Sequence, residues 1–234
     1  MSELILLLPQ LCLLSSALLI LVYNTIFPKS TKLVILTGIA AVGSLGSIST
    51  AIFLFSSKLQ LGSLFGDQIA VDGSSLFFVV IISSVTLLVS IASYDYINKL
   101  GNQTEYYSLL LLAATGMSLM ASANSLVIAF IAMELASLPS YALVTYLKGN
   151  EGSTESGLKY FLIGALSSAI FVYGSSLIYG ATGSLGLSTI SQSILHSSSI
   201  SGLLGIGILM VIGGLAFKTA SVPFHFWAPD VYQG

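Results

Sequence analysis

Apolar residues in this chain come in long, unbroken runs rather than in alternation or as one stripe of a helical repeat. Seven runs stand out, at about 4–27, 33–56, 74–97, 105–121, 124–147, 157–180 and 200–222. A helix rises about 1.5 Å per residue, so about 20 apolar residues cross a hydrocarbon core of about 30 Å. Runs without period-two alternation read as helices, because a backbone in lipid must satisfy its own hydrogen bonds. The fourth run is the shortest, and the "SANS" turn at 122–125 makes it a tight hairpin with the fifth. Gly and Ser recur inside the runs, as in "GIAAVGSLGS", "GALSSAIFVYGSS" and "GLLGIGILMVIGG". Small side chains of this kind let helix backbones approach closely in lipid. The expected fold class is all-α, a polytopic membrane helix bundle of about seven transmembrane helices. The segment 181–199 has turn residues and weak amphipathicity, and reads as an interfacial connection outside the bilayer core.

Composition agrees with this pattern. Hydrophobic residues make up 55% of the 234 and charged residues 7%. Soluble domains carry roughly 25% charged residues, so a water-soluble globule is excluded. The net charge of -2, with no arginine and no basic cluster, argues against nucleic acid as a partner. Cys12, the only cysteine, lies in an apolar run, so neither an intrachain disulfide nor a cysteine metal cluster is available. The first run is long enough to span a bilayer and lacks a small-residue cleavage site, so it reads as a permanent helix. Loops after the first, third and fifth runs hold Lys29, Lys32, Lys99 and Lys148, whereas the opposite side holds Lys58 among Glu3, Asp67 and Asp72. The positive-inside rule then puts the N-terminus outside.

Few ionisable residues fall inside the runs, where each costs about 2.5–3.5 kcal/mol or more at a helix centre. Glu134 lies near the middle of the fifth, Lys159 near the start of the sixth and Lys218 towards the end of the seventh. The bland reading of Glu134 is a structural carboxylate paired or hydrogen-bonded within the bundle, and Lys159 is close enough to the polar "EGSTES" loop to snorkel into it. Lys218 has no acid nearby in sequence, so its partner must lie on another helix. A Glu and a Lys on different helices suggest a pair able to take up and release protons. Pro223 lacks an N–H and is expected to break the seventh helix, freeing the carbonyl of Thr219 beside Lys218. His225 lies seven residues after Lys218 and would share its face on an undistorted helix, making it a relay candidate. Pro139 likewise frees the carbonyl of Leu135 beside Glu134. Trp227 and Tyr232 read as interfacial anchors or packing residues, and His196 as a solvated residue of its serine-rich connection. A hard-cation site needs several carboxylates close together, and the buried acid stands alone. No nucleophile elbow, phosphate-binding loop or zinc motif is present.

Three stretches carry a family resemblance: "MELASLPSYALVTYL", "STESGLKYFLIGALSSAIFVYGSSLIYGATGS" and "GGLAFKTASVPFHFWAPDVYQG". Together they resemble the antiporter-like subunits of complex I, the proton-translocating NADH:quinone oxidoreductase, and among these subunit 2, also called subunit N. The first three helices match the family only in hydropathy and number. The resemblance implies a proton relay in which the family's glutamate falls on Glu134, its two lysines on Lys159 and Lys218, and its histidine on His225. It also implies an external N-terminus, a three-helix segment over 1–100, and the first part of an inverted-repeat unit over 101–234. Family members are similar to bundles of about fourteen helices, so a second polypeptide carrying the C-terminal half is an expected partner, beside other complex I membrane-arm subunits and lipids.

The resemblance implies an enzyme only as an assembly: NADH, FMN, iron–sulfur clusters and quinone would belong to other subunits, and no cofactor to this chain. A very apolar chain without arginine suggests organelle encoding, hence a mitochondrial inner membrane rather than a bacterial plasma membrane. The alternatives are a subunit of a cation/proton antiporter and a scaffold bundle whose charges do nothing.

Overall fold

The computed structural model describes residues 2–27, 32–57, 62–147, 149–196 and 201–233. Lys29, Lys58 and Lys148, on which the expected orientation partly rests, lie outside them.

After a single turn, α1 (Ser2–Ile5), the chain forms α2 (Leu8–Ile26) and α3 (Leu33–Ser56). A two-residue hairpin follows, β1 (Ser63–Leu64) against β2 (Ile69–Ala70), antiparallel. Next come α4 (Gly73–Ala92), the short α5 (Tyr94–Lys99), α6 (Gln103–Met120) and α7 (Leu126–Val144). The chain continues as α8 (Glu151–Thr182), α9 (Leu187–His196), α10 (Gly202–Lys218) and α11 (Trp227–Gln233). The seven expected runs correspond to α2, α3, α4, α6, α7, α8 and α10. Among the described helices, five (α2, α3, α4, α7 and α8) are long and apolar enough to cross a membrane. Of the other two, α6 opens on the polar Gln103–Thr104–Glu105, and α10 has 17 residues. The chain is therefore an all-α polytopic membrane bundle.

The bundle is apolar outside and small or polar inside. Val42, Phe55, Val85, Leu88 and Leu209 are exposed on its flanks, whereas Ser44, Ser47, Ser83, Ser90 and Ser118 are buried. Buried hydroxyls bond between helices: Ser47 and Ser83 meet at 2.8 Å, and Thr37 donates to the Tyr107 hydroxyl at 2.9 Å. Glycines set the closest approaches. A Cβ on Gly207 of α10 would lie 2.9 Å from the Gly174 carbonyl oxygen of α8, and one on Gly174 would lie 2.8 Å from the Gly207 oxygen. A Cβ on Gly116 of α6 would come within 2.3 Å of the Ala136 nitrogen of α7. These contacts bear out the reading of Gly and Ser as packing residues.

One end of the bundle carries a feature that the hydrophobic pattern did not announce. The hairpin lies against the 122–125 turn, where Ala70 N–H donates to the Ser122 carbonyl at 2.8 Å and Asn124 N–H to the Gln68 carbonyl at 2.9 Å. The same turn pairs with the start of α9: Leu187 N–H donates to the Asn124 carbonyl and Leu126 N–H to the Leu185 carbonyl. Phe65, Gly66 and Asp67 at the hairpin tip all have positive φ. The expected interfacial connection at 181–199 thus includes a real helix, α9, held by the buried Ile190. His196 at its end is exposed, as expected.

Candidate functional site

Glu134 sits in the middle of α7, half-buried, and its neighbours on that face are Ser137 and Tyr141, three and seven residues on. Pro139 lies within the same helix. The stretch whose carbonyl it releases, Leu135–Ala136, is where Gly116 of α6 packs backbone to backbone. Ser168 of α8 donates a short hydrogen bond to Glu134 Oε1. Ser168 and Gly164 lie one turn apart on α8, so both face α7. A Cβ on Gly164 would come 2.0 Å from the Tyr141 hydroxyl, so the missing side chain leaves room for that group.

Lys218 is the last residue of α10 and is half-buried. Its ammonium donates to Ser137 Oγ and to the Tyr141 hydroxyl, both at 2.7 Å. The Tyr141 ring centroid is 5.1 Å away. That distance is the reach past the phenol oxygen, so the contact is a hydrogen bond and not a cation stacked on the ring face. Among the described residues no ion pair within 4.0 Å joins Glu134 to Lys218. The expected pair is instead two neighbouring groups on one face of α7: the carboxylate on Ser168, and the ammonium one to two turns along on neutral hydroxyls. A cavity of about 600 Å³ opens beside the ammonium, lined by Met117, Met133, Ser137, Ser140, Tyr160, Leu215 and Lys218 among others.

The seventh helix breaks earlier than expected. Helix α10 stops at Lys218, four residues before Val222, so it never reaches Pro223 and the Thr219 carbonyl is not freed by the proline. Ala220 takes a left-handed conformation, φ 49°, while its N–H bonds the Phe217 carbonyl and the Ser221 N–H bonds the Ala216 carbonyl. This is a Schellman stop with alanine where glycine is usual. His225 therefore does not share a helix face with Lys218; it lies exposed in the turn between α10 and α11.

Lys159 is placed apart from Glu134. Its ammonium lies 2.7 Å from Glu155 Oε1 and 2.9 Å from Asp230 Oδ2, with about half of each carboxylate side chain or more exposed. Helix α8 has 32 residues, about 48 Å at about 1.5 Å per residue, and so outruns a bilayer core. Lys159 near its start reaches back towards the polar end, the snorkelling geometry weighed above. Trp227 is a packing residue: it is buried, stacks on Tyr160 with centroids 4.5 Å apart, and donates its indole N–H to the Phe217 carbonyl at 3.1 Å. Tyr232 is 88% exposed.

Sequence reasoning missed Ser137, Tyr141, Ser168 and Asp230. The first three were hidden among many hydroxyls in apolar runs. Their i, i+3, i+7 spacing from Glu134, for Ser137 and Tyr141, was the available signal. Among the described residues no three His, Cys, Asp or Glu side chains gather as metal ligands would.

Residues 123–234 match the family described as NADH:quinone oxidoreductase/Mrp antiporter, transmembrane. The whole chain is 38% identical to F(420)H(2) dehydrogenase subunit N of Methanosarcina mazei, covering 48% of that protein. It is 40% identical over 97% of its length to NADH-quinone oxidoreductase subunit N of Dehalococcoides mccartyi, covering 47% of it. The chain thus spans about half the length of the curated relatives it matches. Among solved structures, a chain of respiratory complex I from Thermus thermophilus with bound aureothin is similar over 95% of this chain and 47% of its own, at 33% identity and a TM-score of 0.70. A chain of the membrane-bound sulfane sulfur reductase, an archaeal respiratory membrane complex, shares the fold with a TM-score of 0.80 at 23% identity, over 96% of this chain and 48% of its own. These likenesses identify the chain as similar to the antiporter-like membrane subunits of complex I.

Proposed function

We propose that this chain is part of a subunit N (subunit 2) type component of a proton-translocating NADH:quinone oxidoreductase, and that it moves or gates protons through the Glu134–Lys218 site. The observation that carries the reading is a carboxylate and an ammonium in the interior of an apolar bundle, held by Ser168, Ser137 and Tyr141, with a cavity beside the ammonium. Burying two opposite charges short of full pairing is costly in lipid, and is sustained where hydroxyls or water can solvate them. Groups so placed can change protonation state without dragging the bundle apart.

In this reading the helices correspond to the first seven of the relatives' subunit, including a three-helix segment over 1–100. The rest of that length is carried by a further stretch of chain or by a second polypeptide. NADH, FMN, iron–sulfur clusters and quinone are assigned to other subunits, and no redox centre to this chain. Lys159 and His225 keep supporting places in the relay, Lys159 through Glu155 and Asp230. Between a mitochondrial inner membrane and a bacterial plasma membrane, the relatives from Dehalococcoides mccartyi and Thermus thermophilus favour the latter. The N-terminus is assigned to the outer side.

The test is Lys218→Ala in the purified membrane complex, reconstituted in vesicles. The expected result is an assembled complex whose electron transfer no longer acidifies the vesicles. Unchanged proton movement would end the reading. A second reading, a subunit of a cation/proton antiporter, is favoured by the family description that names both. Co-purification with a large redox assembly separates the two, because an autonomous antiporter does not bring redox centres with it.

A further inference from the structure

Resting on the relay reading above, we propose that Tyr141 is a positioning residue, which with Ser137 holds the Lys218 ammonium on neutral hydroxyls and off the Glu134 carboxylate. Four observations carry it. Both hydroxyls accept from the ammonium at 2.7 Å, so two of its three donors are committed to α7. Ser137 spends its own proton on the Met133 carbonyl at 2.6 Å, which leaves its lone pairs facing Lys218. Tyr141 is only 5% exposed, and its ring is wedged edge-on against Tyr160, with centroids 4.6 Å apart and planes at 88°. Gly164 supplies the gap that the phenol oxygen occupies.

The physical consequence is a second resting place for one cation. A buried ammonium needs acceptors, and a nearby carboxylate is the strongest on offer. Two well-placed neutral oxygens solvate the ammonium without neutralising it, so Glu134 stays on Ser168. Ser137 is one helical turn from Glu134, so the ammonium moves between cradle and carboxylate by turning its flexible stem.

The experiment uses the purified membrane complex in vesicles and reads protons moved per electron, with complex yield as the folding control. Lys218→Ala is the reference: if it leaves the ratio unchanged, the relay reading fails and this proposal goes with it. Where Lys218→Ala abolishes proton movement, Tyr141→Phe is expected to lower it about tenfold, the scale of one hydrogen bond to a charged group. Gly164→Ala, which displaces the hydroxyl without touching Lys218, is expected to match it, and the double variant to be no worse than either single one. Ser137→Ala is expected to impair and Ser137→Thr to restore. The proposal is overturned if Tyr141→Phe and Ser137→Ala both pump like the unmodified complex while Lys218→Ala does not. Should Tyr141→Phe reduce the yield, Ser137→Ala against Ser137→Thr decides the outcome alone.

Discussion

Lys159 of α8 and Asp230 of α11 meet at 2.9 Å, so the one acid downstream of Lys218 is taken by a different lysine. Solvent reaches both side chains, and Lys159 keeps Glu155 if Asp230 is lost. Asp230→Asn is therefore expected to leave thermal unfolding in detergent unchanged, because exposed pairs contribute little. Trp227→Ala removes the stack on Tyr160 and the bond to the Phe217 carbonyl, and is expected to cost about 3 kcal/mol. Hydrogen exchange across 227–233 separates the two variants: slow in Asp230→Asn, fast in Trp227→Ala.

Close packing of α8 on α10 predicts an asymmetry among glycines. Gly207→Ala puts a Cβ against the Gly174 carbonyl and Ile178, and is expected to cost about 1–3 kcal/mol by forcing the helices apart. Gly38→Ala meets nothing within 4 Å and is expected to leave stability unchanged or raise it. Parallel unfolding curves in detergent check the pair, and equal losses would refute the packing account.

Ala220 pays for a left-handed backbone with a methyl group that clashes there. Ala220→Gly is expected to stabilise the end of α10 by about 1 kcal/mol, and Ala220→Val to weaken it by more than that. Denaturant unfolding of the detergent-solubilised protein reads the sign directly.

Ser168 is the side chain that the Glu134 carboxylate touches. Ser168→Ala strands the charge in the bundle, and is expected to reduce proton movement about tenfold, while Ser168→Thr keeps most of it. Vesicle acidification is the readout. An unaffected Ser168→Ala would show that the carboxylate finds another donor.

The hydrophobic runs revealed the long helices because each is a continuous stretch of bilayer length, and the small residues within them pointed to tight packing. The site was only half legible. Glu134 and Lys218 stood out as charges in oil, and they do approach the same face of α7. Their separation was not readable, since it depends on where the Lys218 stem points once α10 ends. That end was misplaced because proline is the obvious helix breaker, whereas the turn is made three residues earlier by Ala220, a residue with no such reputation. The same error carried His225 onto a face it does not occupy. The hairpin at 63–70 was invisible because two-residue strands have no periodicity to detect, and their bonds go to turns far along the chain.

That hairpin is knitted by backbone to the 122–125 turn, which is itself knitted to the start of α9, so three distant parts of the chain close one end of the bundle together. Freeing any one of these segments means breaking several of those backbone bonds at once, so they hold or let go as a unit.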